Sequence, residues 1–197
     1  MDSPEFKNLL VVIGASAGGL APIKEIIQSL PEHFSGTLMV ATHRDPELPG
    51  NLLADILEQN TRLTVRDPVK GEKLLCQTLY VGPPSKALTV DRLFAGLEKV
   101  EEEVLRIERI DRLFETAAKY GEENTVGVIL SGLLSDGIEG LKAIQAAGGC
   151  CIVQSPGDAQ FDSMPVNALN EIDADFVGTD AEIAERLTEI AAGRTCQ

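Results

Sequence analysis

Residues 9–19 have the sequence LLVVIGASAGG, in which an apolar run rich in β-branched residues stops at a glycine. Such a run predicts a strand that is buried on both faces, as in a parallel sheet. The small residues that follow allow a sharp turn and leave Ser16 without bulky neighbours. A helical pattern begins directly afterwards, so Ser16 is predicted to lie between a strand's carboxyl end and a helix's amino end. Ligands of open α/β sheets bind at that edge, where helix N–H groups favour negative charge.

Ser16 has two competing interpretations, a nucleophile elbow and a phosphate-binding turn of a nucleotide domain. Residues 14–18, GASAG, match the Gly-x-Ser-x-Gly pattern of an elbow. They lack the Gly-x-Gly-x-x-Gly spacing of a dinucleotide site, because Ser16 stands where the second glycine is needed. The next predicted strand also ends in Ala-Thr-His rather than at an acidic residue. The nucleotide-binding interpretation is therefore disfavoured.

The rest of the chain alternates between strand-like and helix-like segments. Further strands are predicted at 37–42, 63–65, 78–81, 125–130, 150–154 and 175–177, and helices at 20–30, 49–60, 111–120, 138–147 and 181–192. This alternation predicts a doubly wound, mainly parallel α/β sheet with helices on both faces. The short strands around Val65 and Tyr80 are expected to form an antiparallel addition. We expect residues 1–197 to be one domain, with residues 1–7 as a disordered or vector-derived lead.

Two other polar side chains follow predicted strands. His43 comes directly after 37–42, and Asp136 comes shortly after 125–130. Because parallel strands end at one edge of a sheet, Ser16, His43 and Asp136 are expected to lie together as in a serine hydrolase. The order Ser…His…Asp differs from that of the α/β-hydrolase superfamily, which indicates a separate fold.

Each of these residues also has a structural alternative. His43 alone could cap or pack at a strand end, and Asp136 alone could cap the helix that follows it. The only other histidine, His33, lies in a turn-like segment and is expected to face solvent.

Several blocks of the chain together resemble the catalytic domain of the chemotaxis protein-glutamate methylesterases, the CheB family. These blocks are residues 13–19, the His43 segment, residues 80–84, residues 126–132 with Asp136-Gly137, and Met164-Pro165, all in the family's order. The resemblance implies that Ser16 is the nucleophile, His43 the general base and Asp136 the orienting carboxylate. It also implies hydrolysis of glutamate γ-methyl esters of chemoreceptors to glutamate and methanol, and deamidation of certain glutamines.

The tetrahedral oxyanion of such a reaction needs fixed donors, and we expect the backbone N–H groups of Ala17 and Leu133 to supply them. The chain departs from the family at both positions, which usually carry threonine and methionine, and at Arg44, where methionine is common. The usual Arg-Pro-Ser-Val-Asp block is reduced to Glu-Arg-Ile-Asp at residues 108–111.

These departures affect the predicted substrate groove, for which Arg44, Arg109 and Met164 are candidates. The alternative for the arginines is a solvated surface position, and for Met164 simple packing. The departures resemble divergent members found in multidomain sensory proteins. They leave open a non-catalytic or altered-specificity binding module as the alternative function.

Composition excludes some classes of function. Asp and Glu outnumber Lys and Arg by 31 to 17, giving a net charge of −14. This acidity disfavours nucleic-acid binding, which needs basic patches. No apolar run reaches the ~18 residues of a membrane span. The cysteines are not spaced as metal ligands and are expected to be free thiols in a reducing cytosol.

The remaining expectations concern cofactors, partners and location. We expect a cytoplasmic monomer that needs no metal or organic cofactor and acts on a methyl-accepting chemoreceptor or similar protein. The chain itself shows no receiver domain, although the full-length protein could carry a regulatory receiver or methyltransferase domain.

Overall fold

A computed structural model of the chain describes residues 8–192 and residue 194. The predicted lead at residues 1–7 lies outside the described residues. The strands are β1 Leu9–Ala15, β2 Gly36–Thr42, β3 Thr64–Arg66, β4 Thr78–Val81, β5 Ala87–Asp91, β6 Phe94–Glu98, β7 Thr125–Ile129, β8 Cys150–Gln154 and β9 Phe176–Gly178. The helices are α1 Leu20–Ser29, α2 Leu52–Glu58, α3 Glu102–Ile107, α4 Arg109–Gly121, α5 Ile138–Ala146, α6 Ser163–Glu171 and α7 Asp180–Ala191.

Seven of these strands form one parallel sheet in the order β3-β4-β2-β1-β7-β8-β9. The fully buried β1 lies at its centre, as its uninterrupted apolar sequence predicts. Ala15 at the end of β1 pairs with Thr42 at the end of β2, and Gly14 pairs with Ile129 at the end of β7. The segments that follow these three strands therefore begin side by side at one edge of the sheet.

Apolar side chains cover both faces of the sheet. On one face, β1 and β2 pack with Ile23 and Ile27 of α1 and Leu187 of α7. On the other face, the alternate side chains of β1 pack with Phe114 of α4 and Leu141 of α5. The predicted doubly wound arrangement with helices on both faces is confirmed.

The antiparallel addition consists of different strands from those expected. β3 and β4 run parallel to each other and extend the main sheet, so the expectation for the segments around Val65 and Tyr80 is wrong. The connection between them carries the chain back to the amino edge, with Leu74 buried, before β4 begins. The antiparallel pair is β5 with β6. Its turn contains Arg92 at φ 57° rather than the Asn-Gly or Asp-Gly that marks a tight hairpin.

The cysteines behave in two ways. Cys150 and Cys151 are free thiols on opposite faces of β8, as alternation along a strand predicts. Cys76 is disulfide-bonded, so the expectation of free thiols is wrong at that position.

Among the described helices, none is both long and apolar enough to cross a membrane.

Candidate active site

Ser16 lies in a tight turn between β1 and α1. Its backbone N–H donates to the carbonyl of Ser131 at 3.0 Å, which ties the end of β1 to the segment after β7. Gly18 has φ +72°, and a Cβ there would lie 2.8 Å from Ser131 Oγ and 2.9 Å from the Phe161 ring. Glycine at this position therefore allows both the backbone conformation and the close approach of the neighbouring loops.

His43 lies between Ser16 and Asp136. Its Nδ1 is 3.1 Å from Ser16 Oγ, and its Nε2 is 2.7 Å from Asp136 Oδ2. With the ring proton on Nε2, the imidazole donates to Asp136, and Nδ1 is left to accept from the Ser16 hydroxyl. In the chymotrypsin-type serine proteases the two ring nitrogens have the opposite roles, but either nitrogen can accept when the other carries the proton.

Asp136 is buried and anchored by a helix other than the one it precedes. The alternative that it caps α5 is wrong, because Gly137 stands at that N-cap and Asp136 accepts from no N–H group of α5 within the described residues. Instead, its carboxylate accepts from the backbone N–H groups of Ile110 at 2.8 Å and Asp111 at 2.9 Å, in the first turn of α4. Charge-assisted bonds at a helix N-terminus stabilise a carboxylate. The aspartate is therefore fixed from two sides, by α4 and by His43.

The two expected oxyanion donors lie in the loops that follow β1 and β7. Within residues 8–192, neither Ala17 nor Leu133 donates a backbone hydrogen bond. The Leu133 loop is itself held in place, since Gly132 donates to the Phe161 carbonyl and accepts from the Met164 N–H, both at 3.0 Å. Phe161 and Met164 thus pack against this loop.

Arg109 does not lie on the surface. It is only 2% exposed, so the alternative of a solvated arginine is wrong for this residue. Its guanidinium donates to the carbonyls of Thr42 at 3.1 Å and Pro83 at 3.4 Å, and also to that of Pro84. Burial lowers its pKa to about 10, and the charge of Asp136 acts in the opposite direction. Arg109 therefore joins the strand end before His43 to the loop after β4.

Met164 is also buried rather than in the groove. A Cβ added to Gly132 would lie 2.0 Å from the Met164 sulfur and 2.9 Å from Ser16 Cβ. Met164 thus packs behind the loop that carries Leu133, in the packing role that the sequence left open. Neither Met164 nor Arg109 lines the groove described next.

A groove of about 570 Å³ begins at Ser16 and His43. Arg44 lines it and is held by Asn51 at 2.7 Å and by the Gly82 carbonyl. Burial, followed by the nearby charge of Arg109, lowers the Arg44 pKa to about 10. Most of the other lining side chains are apolar, including Leu20, Ile23, Leu48, Pro49, Leu52, Leu53, Ile56 and Pro84.

Large apolar side chains are exposed on both sides of Ser16. Leu20, Leu48 and Leu52 line the groove and are 42%, 54% and 68% exposed, and we call these three the groove rim. Leu133, Leu134 and Phe161, in the loops that close the other side, are also exposed. Exposed apolar patches of this kind mark interaction surfaces.

Two side chains of the site were not identified from the sequence. Asn51 falls inside the helix predicted at 49–60 but stands at the N-cap of α2, where its side chain bridges Arg44, Asp67 and the Val81 carbonyl. Asp111 appears only as an acidic residue in the first turn of α4, which is ordinary for a helix. Its contact with the α5 backbone depends on helix packing that no local pattern reports.

His33 is exposed in the turn before β2, as predicted. Among the described residues, no three His, Cys, Asp or Glu side chains are grouped so that they could hold a metal ion.

Comparisons with known proteins agree on one family. A family model described as CheB methylesterase matches residues 11–187. A protein of Leptospira interrogans, named putative protein-glutamate methylesterase/protein-glutamine glutaminase, is 34% identical over 176 residues, which cover 89% of this chain and 91% of that protein. A Salmonella typhimurium protein-glutamate methylesterase/protein-glutamine glutaminase is 29% identical over 190 residues, covering 94% of this chain but 54% of that longer protein.

The fold agrees with a solved structure of the same family. The crystal structure of the Thermotoga maritima CheB methylesterase catalytic domain matches with a TM-score of 0.84 and 29% sequence identity. The match covers 93% of this chain and 98% of that one.

Proposed function

Because the chain belongs to the CheB methylesterase family, we propose that it is a serine hydrolase with Ser16, His43 and Asp136 as its catalytic triad. It removes methyl groups from glutamate γ-methyl esters of chemoreceptors or related sensory proteins and deamidates glutamines of the same proteins. The observation that carries this proposal is the continuous hydrogen-bonded chain from Ser16 Oγ through both nitrogens of His43 to Asp136.

In the first step, Ser16 Oγ attacks the carbonyl carbon of the ester while His43 Nδ1 takes the hydroxyl proton. A serine hydroxyl is a weak nucleophile without such a base. The base must be the uncharged imidazole, because only a ring nitrogen that carries no proton can accept one. Asp136 holds the proton on Nε2 and stabilises the imidazolium that forms.

The attack places negative charge on the carbonyl oxygen, for which we assign the backbone N–H groups of Ala17 and Leu133 as donors. Their lack of any other acceptor within the described residues supports the assignment. One donor of this kind is typically worth about 3–4 kcal/mol of the barrier.

The intermediate then collapses, the C–O bond to the methoxy group breaks, and methanol leaves with the proton that His43 returns. A glutamyl ester of Ser16 remains. A water molecule, deprotonated by His43, attacks this ester and releases glutamate and the free Ser16 hydroxyl. With a glutamine side chain the same steps release ammonia in place of methanol.

The surroundings of Ser16 support a protein substrate rather than a small ester. The groove rim on one side and Leu133, Leu134 and Phe161 on the other would be covered by any macromolecule that presents a side chain to Ser16. The proposal includes a methyl-accepting chemoreceptor as the partner and a cytoplasmic monomer as the acting form. The alternative, a non-catalytic binding module, is not favoured because it gives no reason for the assembled hydrogen-bonded chain.

The test is methanol release from a methyl-esterified receptor fragment by the wild type, Ser16→Ala and the control Ser29→Ala, which alters an exposed serine at the end of α1. We expect release by the wild type and the control and none by Ser16→Ala. Equal release by Ser16→Ala would remove Ser16 from the mechanism.

If no protein releases methanol, a serine-directed phosphonate separates the remaining possibilities. Labelling that depends on Ser16 would indicate an assembled hydrolase with a different substrate. No labelling would favour the binding module.

A further inference from the structure

Asp136 and Asp111 make reciprocal hydrogen bonds between α4 and α5. Asp136 lies in the loop before α5 but accepts from the backbone N–H groups at the start of α4. Asp111 lies in the first turn of α4, and its Oδ1 accepts from the Gly140 N–H in the first turn of α5, at 2.7 Å. Each carboxylate is thus bound by the amino end of the other's helix.

The close approach of α4 and α5 makes these reciprocal bonds possible. A Cβ on Gly140 would lie 2.3 Å from Phe114 Cβ and 3.3 Å from Asp111 Cα, so no larger residue fits there without a shift of the helices. The carboxyl end of the loop that carries Asp136 is therefore held twice, by the Asp136 carboxylate on α4 and by Asp111 on the first turn of α5.

The two carboxylates also interact electrostatically. Burial raises the Asp111 pKa to about 7, and the charges of Asp136 and Glu115 act in the same direction. At the amino end of α5, the backbone N–H groups of Gly140 and Gly137 interact with the Asp111 carboxylate and lower its pKa. The positive charge of Arg109 also interacts with the negative charge of Asp136. Asp111 and Asp136 are therefore interacting carboxylates, and Asp136 in turn contacts His43 directly.

We propose that Asp111 is a positioning residue that holds the Asp136 loop and, through its charge, sets how readily His43 accepts a proton. This inference rests on the proposed function, in which His43 is the general base. Ionised Asp111 adds negative charge behind Asp136 and favours the imidazolium, whereas protonated Asp111 does not. As pH rises through about 7, loss of the Asp111 proton makes His43 a stronger base.

The test follows the His43 ring by NMR across pH 4–10, which needs no turnover and so does not depend on the esterase assay. The chain has only two histidines, and His33 is exposed, so His33→Asn assigns the spectrum. Asp111→Asn removes the charge but keeps an oxygen that can accept from Gly140. Glu139→Gln is the control, because it removes an exposed carboxylate in the same turn of α5.

We expect the midpoint of the His43 titration to fall by about 0.5–1 pH unit in Asp111→Asn and to stay within ~0.2 unit in Glu139→Gln. The acid limb of the rate profile on the methyl ester should move to lower pH by the same amount. An unchanged His43 midpoint in Asp111→Asn would overturn the proposal and leave Asp111 as a helix cap.

A second measurement uses the wild type alone and covers the case in which Asp111→Asn does not fold. The ¹³C signals of the Asp111 carboxyl and the His43 ring should each show an inflection where the other group titrates, as coupled groups do. Two independent single-step curves would overturn the proposal.

Discussion

Ser16, His43 and Asp136, which we call the polar edge, lie next to the groove rim. The two regions are held in place in different ways. Ser16, His43 and Asp136 follow strands at the carboxyl edge of the sheet, and Asp136 is fixed by backbone donors of α4. Of the rim leucines, Leu20 and Leu52 are the first residues of α1 and α2 and Leu48 lies in the segment before α2, and all three are 42–68% exposed. We therefore expect strand topology to determine the proposed chemistry, and the sequence of the groove rim to determine which substrate can cover the site. Mutations in the two regions should therefore affect different quantities.

The largest effect within this comparison is expected at Asp136. Asp136→Asn has one acceptor oxygen for the three donors that now surround it, the His43 ring and the N–H groups of Ile110 and Asp111. We expect kcat on the methyl ester to fall by about 10³–10⁴-fold, the upper value being that of the same substitution in a serine-protease triad. Unfolding in urea should show a loss of about 1–3 kcal/mol from the broken cap. Near-normal kcat combined with lost stability would reduce Asp136 to a helix cap.

The next largest effect is expected at Arg109, which is buried and donates to the carbonyl of Thr42, the residue before His43. Arg109→Met leaves the carbonyls of Thr42, Pro83 and Pro84 without this donor. We expect a loss of about 1–3 kcal/mol in the free energy of unfolding.

The matched control for Arg109 is Arg112→Met in the same helix. Arg112 forms partly exposed ion pairs with Glu98 and Glu108, so we expect less than about 1 kcal/mol from its loss. Equal effects of the two substitutions in urea unfolding would contradict the assignment of Arg109 as an internal support.

Much of the polar edge could be predicted because each of its parts leaves a local signal. The apolar run from Leu9 to Ile13 marks the central strand, and its glycine-bounded end locates Ser16. His43 and Asp136 follow runs of the same kind, and parallel strands place such ends together. Apolar runs and the residues that end them are therefore sufficient to bring these three side chains to one edge.

What could not be predicted depends on contacts between distant segments. Nothing near Asp136 indicates that its donors belong to α4 rather than α5, because that follows from how the two helices pack. Arg109 follows an acidic, surface-like stretch, and only the fold shows that three carbonyls surround it. The β5–β6 hairpin gives no clear sequence signal, because its turn holds Arg92 in the left-handed region without a glycine or asparagine.

The smallest effect, and the sharpest test of the groove rim, is expected at Leu52. Leu52→Asp places a charge where the proposed protein substrate would bury an apolar side chain, next to Asp55, which already lines the groove. We expect kcat/KM on the receptor fragment to fall about three- to tenfold, or about 0.7–1.4 kcal/mol. On p-nitrophenyl acetate, a molecule too small to cover the groove rim, we expect a smaller fall in kcat/KM.

Val69→Asp is the control for Leu52, because Val69 is 64% exposed but lies in the β3–β4 connection and does not line the groove. If the two substitutions lower kcat/KM on the receptor fragment equally, the effect is one of overall charge on an already acidic chain. If Leu52→Asp lowers kcat/KM equally on the receptor fragment and on p-nitrophenyl acetate, the groove rim affects the catalytic side chains themselves. The two regions are then not separable. Only a substrate-dependent loss confined to Leu52 supports the division between chemistry at the strand ends and recognition at the rim.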